Sequence, residues 1–244
     1  MLVIRGGRVI DPVSGRDETV DVAIAGDRIS AIGKDIAAGS DDDVIDASGC
    51  IVAPGLMDAH VHFRDPGFTY KEDIETGAAA AKKGGFTTVV CMANTKPVVD
   101  NEETLRYVLD KGKKTGIHVL SCATVTKGMQ GAELVDMQKL KDAGAAGFTD
   151  DGLPIMDEEV LLSAFEEAKR LGLPVSLHEE DPMFIEAPGV NYGEVSKKLG
   201  YGGAHHIAED LMVARDCKIA LRTGAMVCIQ HICTAVSVEI VRKF

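Results

Sequence analysis

Hydrophobic and polar positions follow two different rhythms, and the change falls near residue 54. Residues 1–53 carry short apolar runs, such as VIRGGRVID and DVAIAGDRISAIG, which Gly, Asp and Ser residues interrupt. Short runs bounded by turn-forming residues are typical of β-hairpins, and no helix-length pattern occurs in this stretch. We therefore expect residues 1–53 to form the N-terminal part of a small β-sandwich-like domain.

From residue 54 onward, strand-like apolar runs alternate with helix-length amphipathic segments. The strand-like runs are GLMDAHVHF, FTTVVCMAN, IHVLSCATV, AAGFTDD, LPVSLHEED and AMVCIQHICTA. Between them, segments such as NEETLRYVLDKGKKTG have an acidic first turn and a basic last turn, which the helix dipole favours. Strands that alternate with helices predict a parallel sheet with right-handed crossovers.

An open doubly wound sheet and a closed barrel both fit this α/β alternation. The first strand is not followed by a G-x-G-x-x-G loop, which a dinucleotide-binding sheet would carry. Histidine, asparagine and aspartate residues recur at the carboxyl ends of the strands, where a (β/α)8 TIM barrel builds its active site. Both observations favour the barrel, and we expect residues 54–244 to be a TIM-barrel domain.

The predicted barrel is short of strands. Closure requires eight, and the alternation supplies six before the sequence reaches Phe244 inside a predicted helix. We therefore expect residues 54–244 to supply only about the first six β/α units of a barrel. Either a longer form of the protein or another chain would complete it.

Charge and composition limit the partners. The chain has a net charge of −12 and no cluster rich in Lys or Arg, which argues against a nucleic-acid partner. An anionic substrate would need a local positive group in such a field. The apolar runs are too short to span a bilayer and the N-terminus lacks a signal-peptide pattern, so we expect a cytoplasmic protein. The six cysteines include no C-x-x-C pair and are expected to be buried, reduced thiols.

Histidines at the strand ends predict a metal site. His60 and His62 are two residues apart on a predicted strand, so their side chains point to the same face. Two adjacent imidazoles suit a divalent metal, although an incidental pair has the same spacing. His178 and His231 each end a later strand and can reach the same mouth of the barrel. We therefore expect these four histidines to contribute to one metal centre.

The Asp-Asp pair in FTDDG is the candidate for a bridging ligand. Asp150 and Asp151 face opposite ways if the strand continues through them, so at most one points into the site. A carboxylate can bind one ion with each oxygen and so bridge two metals. A solvated Asp-Asp-Gly turn is the alternative. The residues alone leave open which aspartate bridges.

Arg64 and Asn94 are candidates for contact with a substrate. Arg64 follows the histidine pair and offers a guanidinium that can clamp a carboxylate through two hydrogen bonds. Asn94 ends the second strand and offers both a donor and an acceptor. A surface ion pair between Arg64 and Asp65 is the alternative. The histidines that we do not expect to bind metal are His118, His205 and His206.

In order and spacing, GLMDAHVHFRDPG, FTTVVCMANTKPVVDN, FTDDG, LHEED and IQHICTAVSVE resemble the class I dihydroorotases of the amidohydrolase superfamily. The resemblance covers essentially the whole chain, and its most specific parts are the Arg-Asp-Pro-Gly and MxNTxP runs. It implies a metal-dependent barrel, usually with zinc, that interconverts N-carbamoyl-L-aspartate and L-dihydroorotate in pyrimidine synthesis. Hydantoinases and allantoinases share part of the pattern but usually bridge their metals with a carboxylated lysine, and FTDDG offers none.

The resemblance implies metal ligands, substrate contacts and one or two Zn²⁺ ions. The implied ligands are His60, His62, Asp151, His178 and His231. Asp151 is the implied bridge, and Arg64 and Asn94 are the implied contacts for the substrate carboxylate. The family's general acid and base, an aspartate on an eighth strand, is expected beyond Phe244. We therefore expect no catalytic acid or base within these 244 residues, and expect them alone to be inactive or poorly folded.

Two other functions stay open. A hydantoinase or allantoinase is the first, and Arg64 argues against it because a hydantoin without a carboxylate gives the guanidinium less to bind. The second is a non-catalytic dihydroorotase-like subunit that stabilises aspartate transcarbamoylase, and the complete set of expected ligands in this stretch argues against it. A homodimer and an association with aspartate transcarbamoylase are the protein partners that the resemblance suggests.

Overall fold

A computed structural model describes all 244 residues, which form two compact units, Met1–Leu56 and Met57–Phe244. The first unit is a five-stranded sheet with a small apolar core of Val9, Val20 and Val22. Its strands lie in the order β3 (Arg28–Gly33), β2 (Arg16–Ala25), β1 (Leu2–Asp11) and β4 (Asp43–Asp46), and β5 (Ile51–Val52) also pairs with β1. Antiparallel pairing of β1 with β2 and of β2 with β3 makes two consecutive hairpins.

Strands and helices alternate in the second unit. Its strands are β6 (Leu56–Val61), β7 (Phe86–Cys91), β8 (His118–Ser121), β9 (Val175–Leu177) and β10 (Val227–Ile229). Its α-helices are α1 (Ile74–Lys83), α2 (Glu102–Gly112), α3 (Met137–Asp142), α4 (Glu158–Leu171), α5 (Glu194–Lys198), α6 (Ile207–Thr223) and α7 (Ala235–Lys243). Pairing is parallel between β7 and β8 and between β9 and β10, as the alternation predicts.

The predicted fourth strand, AAGFTDD, is reduced to a ladder at Phe148. Phe148 forms parallel bridges to Ala123, which follows β8, and to Val175 in β9. The Thr149 amide donates to the Ala123 carbonyl at 2.8 Å, and the Ser176 amide donates to the Phe148 carbonyl at 2.8 Å. This segment therefore joins the sheet of β6, β7 and β8 to the pair of β9 and β10, and six strand positions lie side by side in chain order.

Helix α4 shows how the sequence pattern places the helices against the strands. The Asp157 side chain caps its N-terminus by accepting from the Glu159 and Val160 amides, and Gly172 ends it with a φ of +69°. Its buried side chains recur at helical spacing: Leu161, Ala164, Phe165, Ala168 and Leu171. This face packs in the main apolar core, which also contains the fully buried Phe148.

Two helices differ from the prediction. The pattern of ELVDMQKLKDAG predicts a helix over residues 133–144, but α3 begins only at Met137, because the Asp136 side chain accepts from the Lys139 amide and caps the helix there. The short helix α5 was not predicted, because so short a helix shows hardly any periodicity.

The cysteines match the prediction only in part. All six are free, but Cys50, Cys228 and Cys233 are exposed rather than buried. Cys228 lies on β10, which has a strand neighbour on one side only, and this leaves the strand partly uncovered. Among the helices, none combines the length and the apolar character that crossing a membrane requires.

Candidate metal centre

The carboxyl ends of the strands gather a cluster of four imidazoles and one carboxylate. Because side chains alternate along a strand, His60 in β6 and His62 just after it share a face, and their Nε2 atoms are 3.1 Å apart. His178 follows β9 and His231 follows β10, and His178 Nδ1 is 3.2 Å from His231 Nε2. The structure thus brings all four sequence-predicted histidines together around Asp151.

Asp151 lies at the centre of the cluster and is 3% exposed. Its Oδ2 is 3.4 Å from His62 Nε2, and its Oδ1 is 3.7 Å from His60 Nε2. On the other side, Oδ1 is 3.6 Å from His178 Nδ1 and 3.9 Å from His231 Nε2. The donor atoms therefore form two sets of three that share Asp151, and the atoms of each set lie within 4.8 Å of one another.

These separations fit a small divalent cation. Zinc lies about 2.0–2.1 Å from its nitrogen and oxygen ligands, so tetrahedral ligands are about 3.3 Å apart. The closest pair of donors in the cluster is 3.1 Å apart, and the distances to Asp151 range from 3.4 to 3.9 Å. Two sets that share one carboxylate also match a two-metal site, in which the ions are about 3.5–4 Å apart.

Hydrogen bonds on the far side of two imidazoles determine which nitrogen faces Asp151. His62 Nδ1 is 3.1 Å from Asn94 Oδ1, which can only accept, so Nδ1 carries the proton and Nε2 is free. His178 Nε2 is 3.3 Å from Glu180 Oε2, which leaves Nδ1 free. Metal-binding histidines regularly have such outer partners. Sequence reasoning missed Glu180, although it stands two residues after His178 in LHEED.

Burial and neighbouring charge act differently on the two histidine pairs. Burial lowers the pKa of His60 and the pKa of His62. The approach of Asp151 raises the pKa of His178. Burial opposes ionisation of Asp151, but His178, His62 and His60 together outweigh it and lower the pKa of this carboxyl. Asp151 is therefore ionised and His60 and His62 are neutral near pH 7, which are the states that metal ligands require.

Asp150 points away from the cluster into the backbone of an earlier loop. Its Oδ1 accepts from the amides of Val125 at 2.8 Å and Thr126 at 3.2 Å, and its Oδ2 accepts from the Thr126 hydroxyl. Burial raises the pKa of Asp150, and these hydrogen bonds act against the rise. Both aspartates are buried, so the alternative of a solvated turn is wrong. Asp151 lies in the cluster, and Asp150 holds the loop.

Arg64 lies beside the cluster without an acidic partner. Its φ of +58° is a left-handed conformation that costs a non-glycine residue roughly 1 kcal/mol. Its Nη1 is 3.4 Å from Asn94 Oδ1, and no carboxylate of the chain lies within 4.0 Å of the guanidinium. The alternative of an ion pair with Asp65 is wrong, because Asp65 pairs with Lys111 at 2.7 Å instead.

Asn94 connects Arg64 with the cluster of imidazoles around Asp151. Besides its two contacts through Oδ1, with His62 and Arg64, its Nδ2 donates to the carbonyl of Asp151 at 3.2 Å and to Asp151 Oδ2 at 3.0 Å. A side-chain amide has two donors and two acceptor positions, so all four are in use.

The loop after β10 is held by an acidic residue of helix α6. His231 has a φ of +31°, and the chain then turns into α7. Glu209 accepts from the amide of Cys233 at 2.8 Å and from the amide of Thr234 at 3.1 Å. Sequence reasoning missed Glu209, and no local pattern marks a contact with residues 24 and 25 positions away.

The remaining histidines belong to neither donor set. His118 opens β8, at the end of the strand that is opposite to the cluster. His205 Nε2 is 3.2 Å from Glu186 Oε1, and His206 Nδ1 is 2.9 Å from Asp210 Oδ2. Local carboxylates thus account for two of the three.

Comparison with known proteins agrees with this geometry. Residues 49–239 match the family described as "Dihydro-orotase-like". A curated protein named dihydroorotase from Clostridioides difficile is 58% identical over 242 residues, which are 99% of this chain and 58% of that protein. Another protein of that name, from Aquifex aeolicus, is 46% identical over 100% of this chain and 57% of its own length. The chain thus spans less than three fifths of the curated relatives that it matches.

Solved structures agree in fold. An L-hydantoinase (dihydropyrimidinase) from Arthrobacter aurescens has a TM-score of 0.76 at 21% identity, over 99% of this chain and 55% of the hydantoinase. A D-hydantoinase (dihydropyrimidinase) from Thermus sp. has a TM-score of 0.75 at 23% identity, over 100% of this chain and 55% of its own length. At such identities the likeness shows a shared fold.

Proposed function

This chain belongs to the dihydroorotase-like family of the amidohydrolase superfamily, and we propose that it is a dihydroorotase. The proposed reaction is the reversible hydrolysis of L-dihydroorotate to N-carbamoyl-L-aspartate in pyrimidine synthesis. One observation carries this choice of substrate: a guanidinium without a carboxylate partner, that of Arg64, stands beside a cluster of metal-type donors. Relatives that bear the name dihydroorotase support the same choice.

We assign the five donors of the cluster to zinc. His60 and His62 would hold one ion, His178 and His231 a second, and Asp151 would bridge them. The separations of the donors and the protonation states support this assignment. When bound, zinc supplies Lewis acidity, which activates water near neutral pH and polarises an amide carbonyl.

The substrate carboxylate is assigned to Arg64. Its guanidinium can form two parallel hydrogen bonds with a carboxylate and keeps its charge at any relevant pH. Such a local positive group is needed, because the chain as a whole has a net charge of −12 and repels anions. Asn94 is assigned to the same subsite through Arg64, which its Oδ1 contacts at 3.4 Å, because its Nδ2 donates to Asp151.

The proton on the leaving nitrogen needs a further group. All five carboxylate and imidazole side chains of the cluster are assigned to metal, so none is left as a general acid or base. The family resemblance implies an aspartate on an eighth barrel strand for this role, and the described strand positions do not include it. We propose that the 244 residues by themselves are inactive, because they lack this group and general acid–base catalysis contributes about 10²–10⁴-fold.

The test is a side-by-side assay of the full-length, zinc-loaded gene product with L-dihydroorotate and hydantoin. We expect dihydroorotate to be the preferred substrate. We expect Arg64→Ala to lower kcat/KM for dihydroorotate by about 10²-fold, since it removes a charged pair of hydrogen bonds, and to leave hydantoin turnover unchanged. A preference for hydantoin would instead support a hydantoinase, to which the solved neighbours point by fold alone.

Metal analysis separates an enzyme from a non-catalytic partner of aspartate transcarbamoylase. The unmodified chain should hold zinc in whole-number stoichiometry and His60→Ala should hold less, whereas a scaffold should hold none in either form.

We also propose that residues 1–53 belong to a small β domain, that residues 54–244 belong to a TIM-barrel domain, and that the protein is cytoplasmic. We propose a homodimer as a possible assembly, and sedimentation in the analytical ultracentrifuge measures its mass.

A further inference from the structure

The turn that carries Arg64 is anchored by a buried carboxylate next to it. The side chain of Asp65 is completely buried, and it accepts a hydrogen bond from the Tyr107 hydroxyl at 2.9 Å. The Lys111 ammonium donates to its other oxygen at 2.7 Å. Tyr107 and Lys111 are four residues apart on helix α2, so they present one face of that helix to Asp65.

Two backbone contacts hold the same turn against the segment after β7. The amide of Lys96 donates to the carbonyl of Pro66 at 3.0 Å. Gly67, at a φ of +95°, passes so close to Lys96 that an added Cβ would lie 2.1 Å from its carbonyl oxygen. A side chain cannot be accommodated there, and the turn is held in one place.

The Arg64 side chain makes few hydrogen bonds. Its only side-chain hydrogen bond within the chain is the long one to Asn94, at 3.4 Å. A flexible side chain with one weak contact takes its direction from its backbone. The Arg64 backbone lies in the turn that the buried Asp65 anchors, and its carbonyl accepts from the Phe68 amide at 2.9 Å. The charge of Asp65 is meanwhile fully matched by Lys111, so it does not draw the guanidinium away from the cluster.

We propose that Asp65, Lys111 and Tyr107 form a positioning unit, which aims the Arg64 guanidinium at the substrate carboxylate and so makes the enzyme select acidic cyclic amides over neutral ones. None of the three contacts the metal donors, so they act through Arg64. The inference rests on the proposed function, in which Arg64 binds the carboxylate.

The experiment compares Lys111→Met with Lys113→Met in the full-length, zinc-loaded protein. Lys113 is the matched control, since it lies on the same helix but pairs with Asp110 at the surface. The probes are L-dihydroorotate and 5,6-dihydrouracil, which has the same ring without the carboxylate. Zinc content and the thermal unfolding midpoint are recorded for every variant.

We expect Lys111→Met to raise KM for dihydroorotate by about 10–100-fold, because misplacement of a positioning group by an ångström costs that much. The kcat for dihydroorotate, the zinc content and the kinetics with dihydrouracil should stay at the unmodified level. Lys111→Arg should restore most of the KM, and Lys113→Met should change nothing. A loss that affects both substrates equally would overturn the inference, since it would show a merely structural role.

A milder variant covers the case in which Lys111→Met does not fold. Tyr107→Phe removes one hydroxyl and should raise KM for dihydroorotate about threefold without an effect on dihydrouracil. Arg64→Ala separates the two levels of the argument. If Arg64→Ala abolishes the preference for dihydroorotate but Lys111→Met and Tyr107→Phe do not alter it, the inference fails alone. If Arg64→Ala leaves the preference intact, the proposed role of Arg64 fails, and the inference fails with it.

Discussion

The two halves of the cluster of four imidazoles and Asp151 share this carboxylate but are built differently. His60 and His62 come from one strand, and their rings are about one quarter exposed, at 26% and 29%. His178 and His231 come from two strands, 53 residues apart, and their rings differ in exposure, at 15% and 50%. The first half is therefore preorganised by a single strand, whereas the second half exists only after β9 and β10 have paired.

We infer from this difference that the His60–His62 half is the more rigid of the two. The His60–His62 half is held by Asn94, whose four hydrogen-bonding positions all face the site. The His178–His231 half depends on Glu180 and on the loop that Glu209 holds. Preorganised ligands lose less entropy on binding, so we expect the first half to bind zinc more tightly.

Removing the shared ligand should have the largest effect. We expect Asp151→Ala to abolish stoichiometric zinc binding in both halves and to lower the activity of the full-length protein by more than about 10³-fold, since it removes the proposed bridge between two ions. Elemental analysis and steady-state kinetics measure this.

The neighbouring residue is the control. Asp150→Asn should keep both zinc ions, because Asp150 faces the Val125–Thr126 backbone, and should cost about 1–3 kcal/mol of unfolding free energy, because it weakens buried hydrogen bonds. Loss of zinc from Asp150→Asn, with retention by Asp151→Ala, would reverse the assignment.

Removing one histidine from each half should show the asymmetry directly. We expect His231→Ala to keep one tightly bound ion at His60 and His62. We expect His60→Ala to bind its remaining ion more weakly than His231→Ala binds its own, by about tenfold or more, because only the His178–His231 half is then intact. Competition with a chelator at fixed pH gives both dissociation constants. Equal constants for the two variants would contradict the asymmetry.

The outer partner of the second half offers a gentler perturbation. Glu180→Ala should weaken the second zinc by about 10-fold, because it removes the acceptor that orients His178, and should leave the first zinc unaffected. The matched control is Glu186→Ala, which pairs with His205 outside the cluster. Isothermal titration with two resolved binding phases measures the change.

Acidification should release the two ions one after the other, and we expect this effect to be smaller than those of the substitutions. The pKa of His178 is raised by Asp151, whereas burial lowers the pKa of His60 and His62, so protons compete for His178 at a higher pH than for His60 and His62. As the pH falls, the His178–His231 ion should leave first. In the metal-free chain, the contribution of His178 to stability is present below about pH 6.5 and is lost as the pH rises through its raised pKa. His60 and His62, whose pKa values are lowered, instead destabilise the metal-free chain as the pH falls. Zinc release measured between pH 7 and pH 5 shows which ion leaves first.

The same contrast marks how far the sequence could predict this site. His60 and His62 were predicted from a spacing of two residues, a local pattern that a strand converts into one face. His178 and His231 were predicted only by assuming that successive strand ends meet, and the parallel pairing of β9 and β10 bears out that assumption. The choice between Asp150 and Asp151 could not be made from the residues alone, because it depends on which carboxylate the Val125–Thr126 loop takes.

Contacts between distant segments could not be predicted from the sequence. Glu209 meets Cys233 and Thr234 across 24 or 25 residues, and Lys111 meets Asp65 across 46. Neither pair has a spacing that a periodicity can reveal. The fourth strand was predicted correctly in position but too long, because backbone pairing at Phe148 stops where Asp150 and Asp151 turn to their separate partners.

We propose that five side chains from successive strand ends hold two ions around Asp151. The most direct measurement is a crystal structure of the zinc-loaded protein with anomalous difference maps at the zinc edge. We predict two peaks about 3.5–4 Å apart, one beside His60 and His62 and one beside His178 and His231, with Asp151 contacting both. Peaks that avoid Asp151, or no peak at these histidines, would contradict the account.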